Sequence, residues 1–120
     1  METKILSKQL RDGNFVNYMG KPVKCSIKTI YAISTCIGES FVFQPIEINE
    51  DWLIKLGFNF LKIRAKYKIY ELNDVRISIG IPEFCTGIFI SFYRGTKYIN
   101  YIHELQNAYY VINKRELNYV

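Results

Sequence analysis

Apolar and polar residues alternate along most of this chain, and the alternation predicts a protein built mainly of β-strands. In one stretch, Val23, Cys25 and Ile27 alternate with lysine and serine. A period of two is typical of a strand with one buried and one solvated face. Turns are predicted at 20–21, 73–74 and 94–95, where Gly, Asn or Asp interrupts the pattern. The predicted strands are residues 14–19, 22–35, 40–44, 61–72, 75–81, 87–93 and 96–99.

Two segments have helical spacing instead. The first follows Asn49, whose side chain can cap a helix, and Gly57 can end it in a left-handed conformation. Trp52 and Leu56 are spaced to share one face of this helix, which we expect to dock on the sheet. The second helix is predicted to follow a cap at Asn100, and apolar residues recur in it at three- and four-residue steps. These residues are Ile102, Leu105, Tyr109 and Ile112.

The order of these elements indicates an α+β fold in a single domain covering residues 1–120. Because short turns rather than helical crossovers join most strands, neighbouring strands are expected to pair antiparallel. We therefore expect about seven strands in a small antiparallel sheet or a partly open barrel. One short middle helix and one C-terminal helix would pack against it. A chain of 120 residues, 49% of them hydrophobic, has enough apolar surface for one such core.

The inventory of reactive side chains argues against several classes of site. The chain has one histidine and three cysteines, Cys25, Cys36 and Cys85, with no C-x-x-C pair. Such scattered cysteines are typical of buried, reduced thiols and do not indicate a zinc site or a disulfide framework. The sequence contains no motif of a phosphate-binding loop, a zinc protease or a serine hydrolase. We expect no metal, no cofactor and no enzyme activity.

The first ten residues are polar and charged, without the apolar stretch of a signal peptide. No part of the chain approaches the roughly eighteen consecutive apolar residues of a membrane span. We therefore expect a cytoplasmic protein without membrane contact. In a phage-encoded protein this would be the cytoplasm of the host cell.

A row of basic residues within the predicted strand 61–72 is the most informative charged feature. Its members alternate with apolar residues, so one continuous strand would place them on one face, about 6.6 Å apart. They are Lys62, Arg64, Lys66 and Lys68. One interpretation is a solvated face that protects an edge strand from aggregation. Another is a ligand-binding wall for the phosphates of a nucleic acid or nucleotide. A break in the strand would instead scatter the four charges.

The tyrosines and the single histidine are the other candidates. The chain has ten tyrosines, and several cluster toward its end. Because tyrosine combines apolar area with a polar tip, Tyr98, Tyr109 and Tyr110 are candidates for an interface that forms a homo-oligomer. His103 lies near the start of the last helix. We interpret it as a structural histidine that hydrogen-bonds a carbonyl or carboxylate, since a catalytic role needs partners that the sequence does not show.

Three segments, in order, carry a resemblance to a known family. They read LRDGNFVNYMGK at 10–21, PIEINEDWLIKLGF at 45–58 and YIHELQNAYY at 101–110. The chain resembles small proteins of gut Bacteroidota and their crAss-like phages, with L-R-x-G-N-x-V, P-I-x-L-T-E-E-W-L-L-K-F-G-F and Y-V-H-Q-L-Q-N-L-Y-F blocks. Asn49 replaces a threonine of that pattern, and Asn113 would end the last helix in place of a glycine. The family carries no established activity, so the resemblance implies an origin and a fold but no active site.

Two functional hypotheses follow. The first is a non-catalytic phage or bacterial accessory protein that binds an anionic ligand, a nucleic acid or a signalling nucleotide, and thereby counters host defence. The second is a protein-interaction or virion-associated module that self-assembles through its tyrosine-rich C-terminal end. A small enzyme centred on His103 is a third and weaker hypothesis.

Overall fold

The fold is described from a computed structural model, in which residues 10–28, 30–31, 43–84, 86–92 and 95–117 are described. These residues form two compact units. The first unit contains the described residues up to Glu47 together with Tyr101–Ala108. The second contains Ile48–Asn100 together with the described residues from Tyr109 onward.

The first unit is built on a small antiparallel sheet of three strands in the order β2-β1-β3. The strands are β1 (Phe15–Tyr18), β2 (Lys21–Lys24) and β3 (Phe43–Gln44). Met19 and Gly20 join β1 to β2 with φ angles of 50° and 85°, as expected of the tight turns that suit hairpins. The predicted hairpin is confirmed, with its turn one residue earlier than expected.

The long strand predicted at 22–35 is wrong. β2 ends at Lys24, and residues 27–28 and 30–31 are helical, with the Ile30 amide donating to the Ser26 carbonyl at 3.0 Å. Serine favours the start of a helix, and Ile27 and Ile30 have a spacing that suits a helix as well as a loop. Residues 32–35, and 40–42 of the next predicted strand, lie outside the described residues.

A small apolar cluster forms the core of the first unit. Leu10, Val16 and Cys25 are buried, and Val23 and Ile30 pack against them. Apolar residues from both strands of the hairpin therefore meet on one side of it. The alternation that predicted these strands is the pattern that this side requires.

The second unit begins with a short helix, α1 (Glu50–Lys55). The Asn49 side chain accepts a hydrogen bond from the Trp52 amide at 2.9 Å, which confirms the predicted cap. At the other end Gly57 has a φ of 99°, and the amide of Phe58 donates to the Leu53 carbonyl at 2.9 Å. This is the left-handed termination that the glycine predicted.

The second unit continues as a five-stranded antiparallel sheet in the order β4-β5-β6-β7-β8. Its strands are β4 (Asn59–Arg64), β5 (Tyr67–Leu72), β6 (Val75–Gly80), β7 (Ile88–Phe92) and β8 (Gly95–Tyr98). The turn at Asn73 and Asp74 is confirmed, with φ angles of 48° and 68°. The proposed turn residue Arg94 lies outside the described residues.

One face of this sheet belongs to the core of the second unit and carries α1. Cross-strand partners Tyr70, Ile77 and Ile90 are all buried there. The Tyr70 hydroxyl is hydrogen-bonded to the Glu50 carboxylate of α1. Burial, together with the negative charge of Glu50, raises the pKa of Tyr70 to about 12. The predicted docking of the middle helix on the sheet is confirmed.

The C-terminal helix, α2 (Ile102–Asn113), has residues up to Ala108 in the first unit and the rest in the second. It begins one residue later than a cap at Asn100 would place it. The Glu104 carboxylate accepts from the Tyr101 amide at 3.1 Å, the reach-back contact typical of a helix start. The left-handed residue at its end is Lys114, with a φ of 57°, rather than the expected Asn113.

The predicted α+β class is confirmed. The described residues form eight strands in two open antiparallel sheets, where about seven strands were expected, and α1 and α2 fall where two helices were predicted. The prediction of a single domain stays a prediction.

Candidate anion-binding face

A tight turn breaks the basic row that the sequence predicted. Ala65 and Lys66 join β4 to β5, and Arg64 pairs with Tyr67 across the turn. The φ of Ala65 is 55°, in the left-handed region that residues other than glycine seldom adopt. The prediction of one strand over 61–72 is therefore wrong, because the chain reverses direction at its middle.

Two of the four basic residues share a face of the five-stranded sheet. Directly paired residues of neighbouring strands project to the same side of a sheet. Lys62 pairs with Ile69, and Arg64 pairs with Tyr67, so all four lie on one side. An irregularity in the register between Phe60 and Lys62 keeps this pairing in step.

The other two basic residues lie elsewhere. Lys68 is on the opposite face, where its Nζ is 2.9 Å from the Glu50 carboxylate of α1. Lys66 is exposed in the turn itself. The expectation that all four charges line one face is therefore wrong, and the alternative in which a break scatters them is confirmed.

We call the side that carries Lys62 and Arg64 the open face. The strand register assigns to it polar, basic and aromatic residues from all five strands. They are Lys62, Arg64, Tyr67, Ile69, Glu71, Arg76, Ser78, Phe89, Ser91, Thr96 and Tyr98. Arg64, Arg76, Thr96 and Tyr98 are exposed, in contrast to the buried residues of the other face.

A pocket of about 310 Å³ lies on the open face. This volume is at the lower end of the range of about 300–1,000 Å³ that is usual for small-molecule sites. Two arginines, two aromatic rings and two serines contribute to its lining, and none of the described lining residues is acidic. The lining consists of Arg64, Ala65, Tyr67, Ile69, Arg76, Ser78, Phe89 and Ser91.

The aromatic rings of the open face form a row. The centroids of Tyr67 and Phe89 are 5.0 Å apart with the rings at 75°, and those of Phe89 and Tyr98 are 5.8 Å apart at 70°. Both are edge-to-face contacts, which fix the rings relative to one another. The first pair lines the pocket, and Tyr98 extends the row beyond it.

The charge at the pocket is positive. The Arg76 Nε is 3.6 Å from the Glu71 carboxylate, and both side chains are partly exposed. An ion pair of this length and exposure is weak, so Arg76 retains donors for another acceptor. Arg64 adds a second guanidinium at the same pocket. Both are permanently charged and suit phosphate oxygens.

Sequence reasoning missed most of this site. Arg76 and Ser78 alternate with the buried Val75 and Ile77, so the pattern did place them on the solvated face of a strand. It did not show that β6 lies beside β5, and therefore beside the basic residues of β4. Phe89 was equally hidden, because its neighbours on the open face depend on the register of β7.

The three candidate interface tyrosines have different environments. Tyr98 is 74% exposed on β8, and Tyr110 is exposed on α2. Tyr109 is buried, its hydroxyl accepts a hydrogen bond from the Asn73 side chain at 2.7 Å, and its ring meets Phe58 edge-on. Tyr109 is thus a core residue of the second unit and is removed from the candidate interface.

His103 is buried in the first unit and stacks on the Tyr101 ring, with centroids 5.8 Å apart. Its Nδ1 has no hydrogen-bond partner among the described residues, contrary to the expectation of a satisfied histidine. Burial lowers the pKa of His103, and the nearby Glu104 carboxylate partly opposes this effect. The neutral imidazole is therefore the form that this site favours.

Two of the segments that carry the family resemblance hydrogen-bond to each other in the first unit. The Asn14 side chain donates to Asn107 at 2.9 Å. Gln106 accepts from the Phe15 amide at 2.7 Å and donates to the Gly13 carbonyl at 3.1 Å. Asn14 and Gln106 are fully buried, so these bonds satisfy groups that would otherwise be costly to bury. Their role is structural.

The remaining reactive groups do not form a site. Burial and the charge of Asp12 raise the pKa of the Cys25 thiol to about 11, which keeps it protonated at neutral pH. Cys36 and Cys85 lie outside the described residues. No group of three or more potential metal ligands occurs in the part of the chain that the structure describes. No helix among the described residues has the length and apolar character needed to cross a membrane.

Comparison with known proteins finds no matching family model, no matching curated protein and no matching solved structure. The functional argument therefore depends on the residues of the open face.

Proposed function

We propose that this protein binds an anionic ligand, a nucleic acid or a nucleotide, on the open face of its second unit. The observation that supports this proposal is the pairing of Arg64 and Arg76 with the rings of Tyr67 and Phe89 around one pocket without a lining carboxylate. A guanidinium binds phosphate through paired N–H donors, and an aromatic ring offers a surface on which a base stacks. The hydroxyls of the pocket serines add donors and acceptors for a base edge.

The proposed site changes the set of basic residues. Lys62 and Arg64 stay in it, Arg76 joins it, and Lys66 extends it at the turn. Lys68 leaves it, because this side chain lies on the opposite face and pairs with Glu50. The ligand is held by charge and stacking, and the proposal assigns no catalytic step.

The test is to remove the two pocket charges and compare binding with a charge-matched control. Arg64→Gln with Arg76→Gln removes two positive charges from the open face. Lys68→Gln with Lys97→Gln removes two from residues that the register assigns to the other face. Native mass spectrometry with short oligonucleotides and cyclic nucleotides, at two salt concentrations, reads both binding and assembly.

We expect the wild-type protein and the lysine control to form the same discrete adduct, and the arginine variant to lose it with little change in Tm. Each phosphate contact that is lost should also reduce the slope of log K against log salt by about 0.7 for a single strand. Equal binding by the arginine variant and the wild-type protein, or no adduct with any member of the panel, would contradict the proposal.

Self-association is a second candidate function, and exposed Tyr98 is the observation that favours it. Because Tyr98 lies on the open face, a partner copy and a nucleic acid would compete for the same ring. In the same mass spectra, a bare oligomer that Tyr98→Ser converts to monomer would support self-association. A wild-type mass that corresponds to a monomer would exclude it under those conditions.

The biological setting that we propose is a bacterial or phage accessory protein that counters host defence by sequestering a signalling nucleotide or covering a nucleic acid. The resemblance to phage proteins motivates this part of the proposal. Expression of the wild-type chain, but not of the Arg64→Gln with Arg76→Gln variant, should then restore plaque formation by a defence-sensitive phage. Equal plaque counts with the two proteins would contradict it.

A further inference from the structure

The aromatic row of the open face continues past the pocket. Tyr67 and Phe89 line the pocket, whereas Tyr98 makes its edge contact with Phe89 from outside it. A Cβ placed on Gly87 would lie 3.9 Å from Cε1 of Tyr98, so the ring passes over the backbone at that glycine. The open face therefore offers two aromatic positions side by side, one recessed and one exposed.

The exposure of Tyr98 is not explained by packing. With 74% of its surface accessible, this ring contributes little burial, although tyrosine on an edge strand also reflects strand propensity. A ring that is held at its edge and exposed on a face is the arrangement on which nucleic-acid bases stack. The threonine paired with Ser91, Thr96, lies on the same strand and adds a hydroxyl between the two positions.

We propose that the open face binds single-stranded nucleic acid through two neighbouring nucleotides, with one base in the pocket and the next on Tyr98. This inference rests on the proposed function and narrows its ligand class. A free nucleotide supplies only one base and would leave Tyr98 unused. A duplex hides the faces of its bases within its own stack, so it cannot use either position.

The test compares ligands of increasing length. Fluorescence anisotropy with a labelled thymidine octanucleotide is competed with unlabelled thymidine monophosphate, the dinucleotide pTpT and an eight-base-pair duplex. A uridine octanucleotide in a parallel arm distinguishes RNA from DNA as the source of the strand. The variants are Tyr98→Ala, Tyr98→Phe and, as a matched removal of an exposed tyrosine on another element, Tyr110→Ala.

We expect pTpT to compete at least tenfold better than the monophosphate, and the duplex to compete poorly. Tyr98→Ala should weaken binding of pTpT and of the octanucleotide by about 5- to 150-fold, the range set by the stacking of one base. It should leave the affinity for the monophosphate unchanged. Tyr98→Phe should bind like the wild-type protein because the ring is retained, and Tyr110→Ala should have no effect.

The outcomes separate this inference from the proposed function. If the monophosphate competes as well as pTpT, or if Tyr98→Ala binds the octanucleotide normally, the two-nucleotide inference is wrong while anion binding by the arginines still stands. Equal competition by the duplex overturns it as well. If the wild-type protein binds none of these probes, or if the Arg64→Gln with Arg76→Gln variant binds them normally, both proposals are wrong.

Discussion

At the scale of single residues, burial separates the polar side chains that hold the fold from those available to a ligand. Asn14 and Gln106 are fully buried and hydrogen-bonded, so they stabilise the first unit. Arg64 and Arg76 are exposed beside a pocket. The sequence showed all four as polar residues, but their burial depends on contacts between distant parts of the chain and could not be predicted from their types.

His103 is the residue whose titration should be visible near neutral pH. Because burial lowers its pKa in the folded protein, the unfolded chain binds a proton first as the pH falls. The free energy of unfolding should therefore be constant above about pH 7 and decrease below the unfolded pKa of about 6.5, by at most about 1.4 kcal/mol per pH unit. Urea denaturation at pH 7.5, 6.5 and 5.5 measures this dependence.

The matched variant for this prediction is His103→Phe, which keeps a ring to stack on Tyr101 and has no group that titrates. The acid-dependent loss between pH 7.5 and 5.5 should be absent from the variant. If the variant and the wild-type protein lose the same stability over this interval, other groups are responsible and the interpretation of His103 is wrong.

At the scale of secondary structure, local chemistry predicted the elements whose ends it marks. The α1 helix has both a capping asparagine and a terminal glycine, and the Asn73-Asp74 turn has two residues that tolerate left-handed backbone. The turn at Ala65 and Lys66 has no such residue, and the alternation of polar and apolar positions continues through it. A hairpin and a single strand are indistinguishable in that pattern, so the basic row was assigned to one strand.

The turn at Ala65 makes a stability prediction. Left-handed backbone costs a non-glycine residue roughly 1–2 kcal/mol, and glycine removes this cost while adding entropy to the unfolded chain. Ala65→Gly should therefore stabilise the protein, by up to about 1 kcal/mol. The same substitution in the α2 helix, Ala108→Gly, should destabilise it by about 1 kcal/mol.

Urea denaturation of the two variants gives the signs directly. Opposite signs support the left-handed turn and with it the separation of the basic residues. If both substitutions destabilise the protein by similar amounts, Ala65 does not occupy a left-handed position and the assignment of Lys62 and Lys68 to opposite faces fails.

At the scale of the whole molecule, the α+β class and the antiparallel pairing could be predicted, because they follow from the order and spacing of the elements. The candidate site could be predicted only in part. The sequence pointed to a basic feature in the right segment, including Lys62 and Arg64. The contributions of Arg76, Phe89 and Tyr67 depend on which strands are neighbours, and on a register that one sequence does not contain.

The central claim is that the ligand occupies the open face of the second unit, and an NMR titration tests it most directly. Amide resonances of the ¹⁵N-labelled protein are followed while a thymidine octanucleotide is added. We predict saturable shifts that cluster at residues 64–67, 76–78, 89–91 and 96–98, with little change at the amides of Asn14 and Gln106. Shifts centred on Lys68 and α1, shifts confined to the first unit, or an unchanged spectrum at saturating oligonucleotide would contradict the claim.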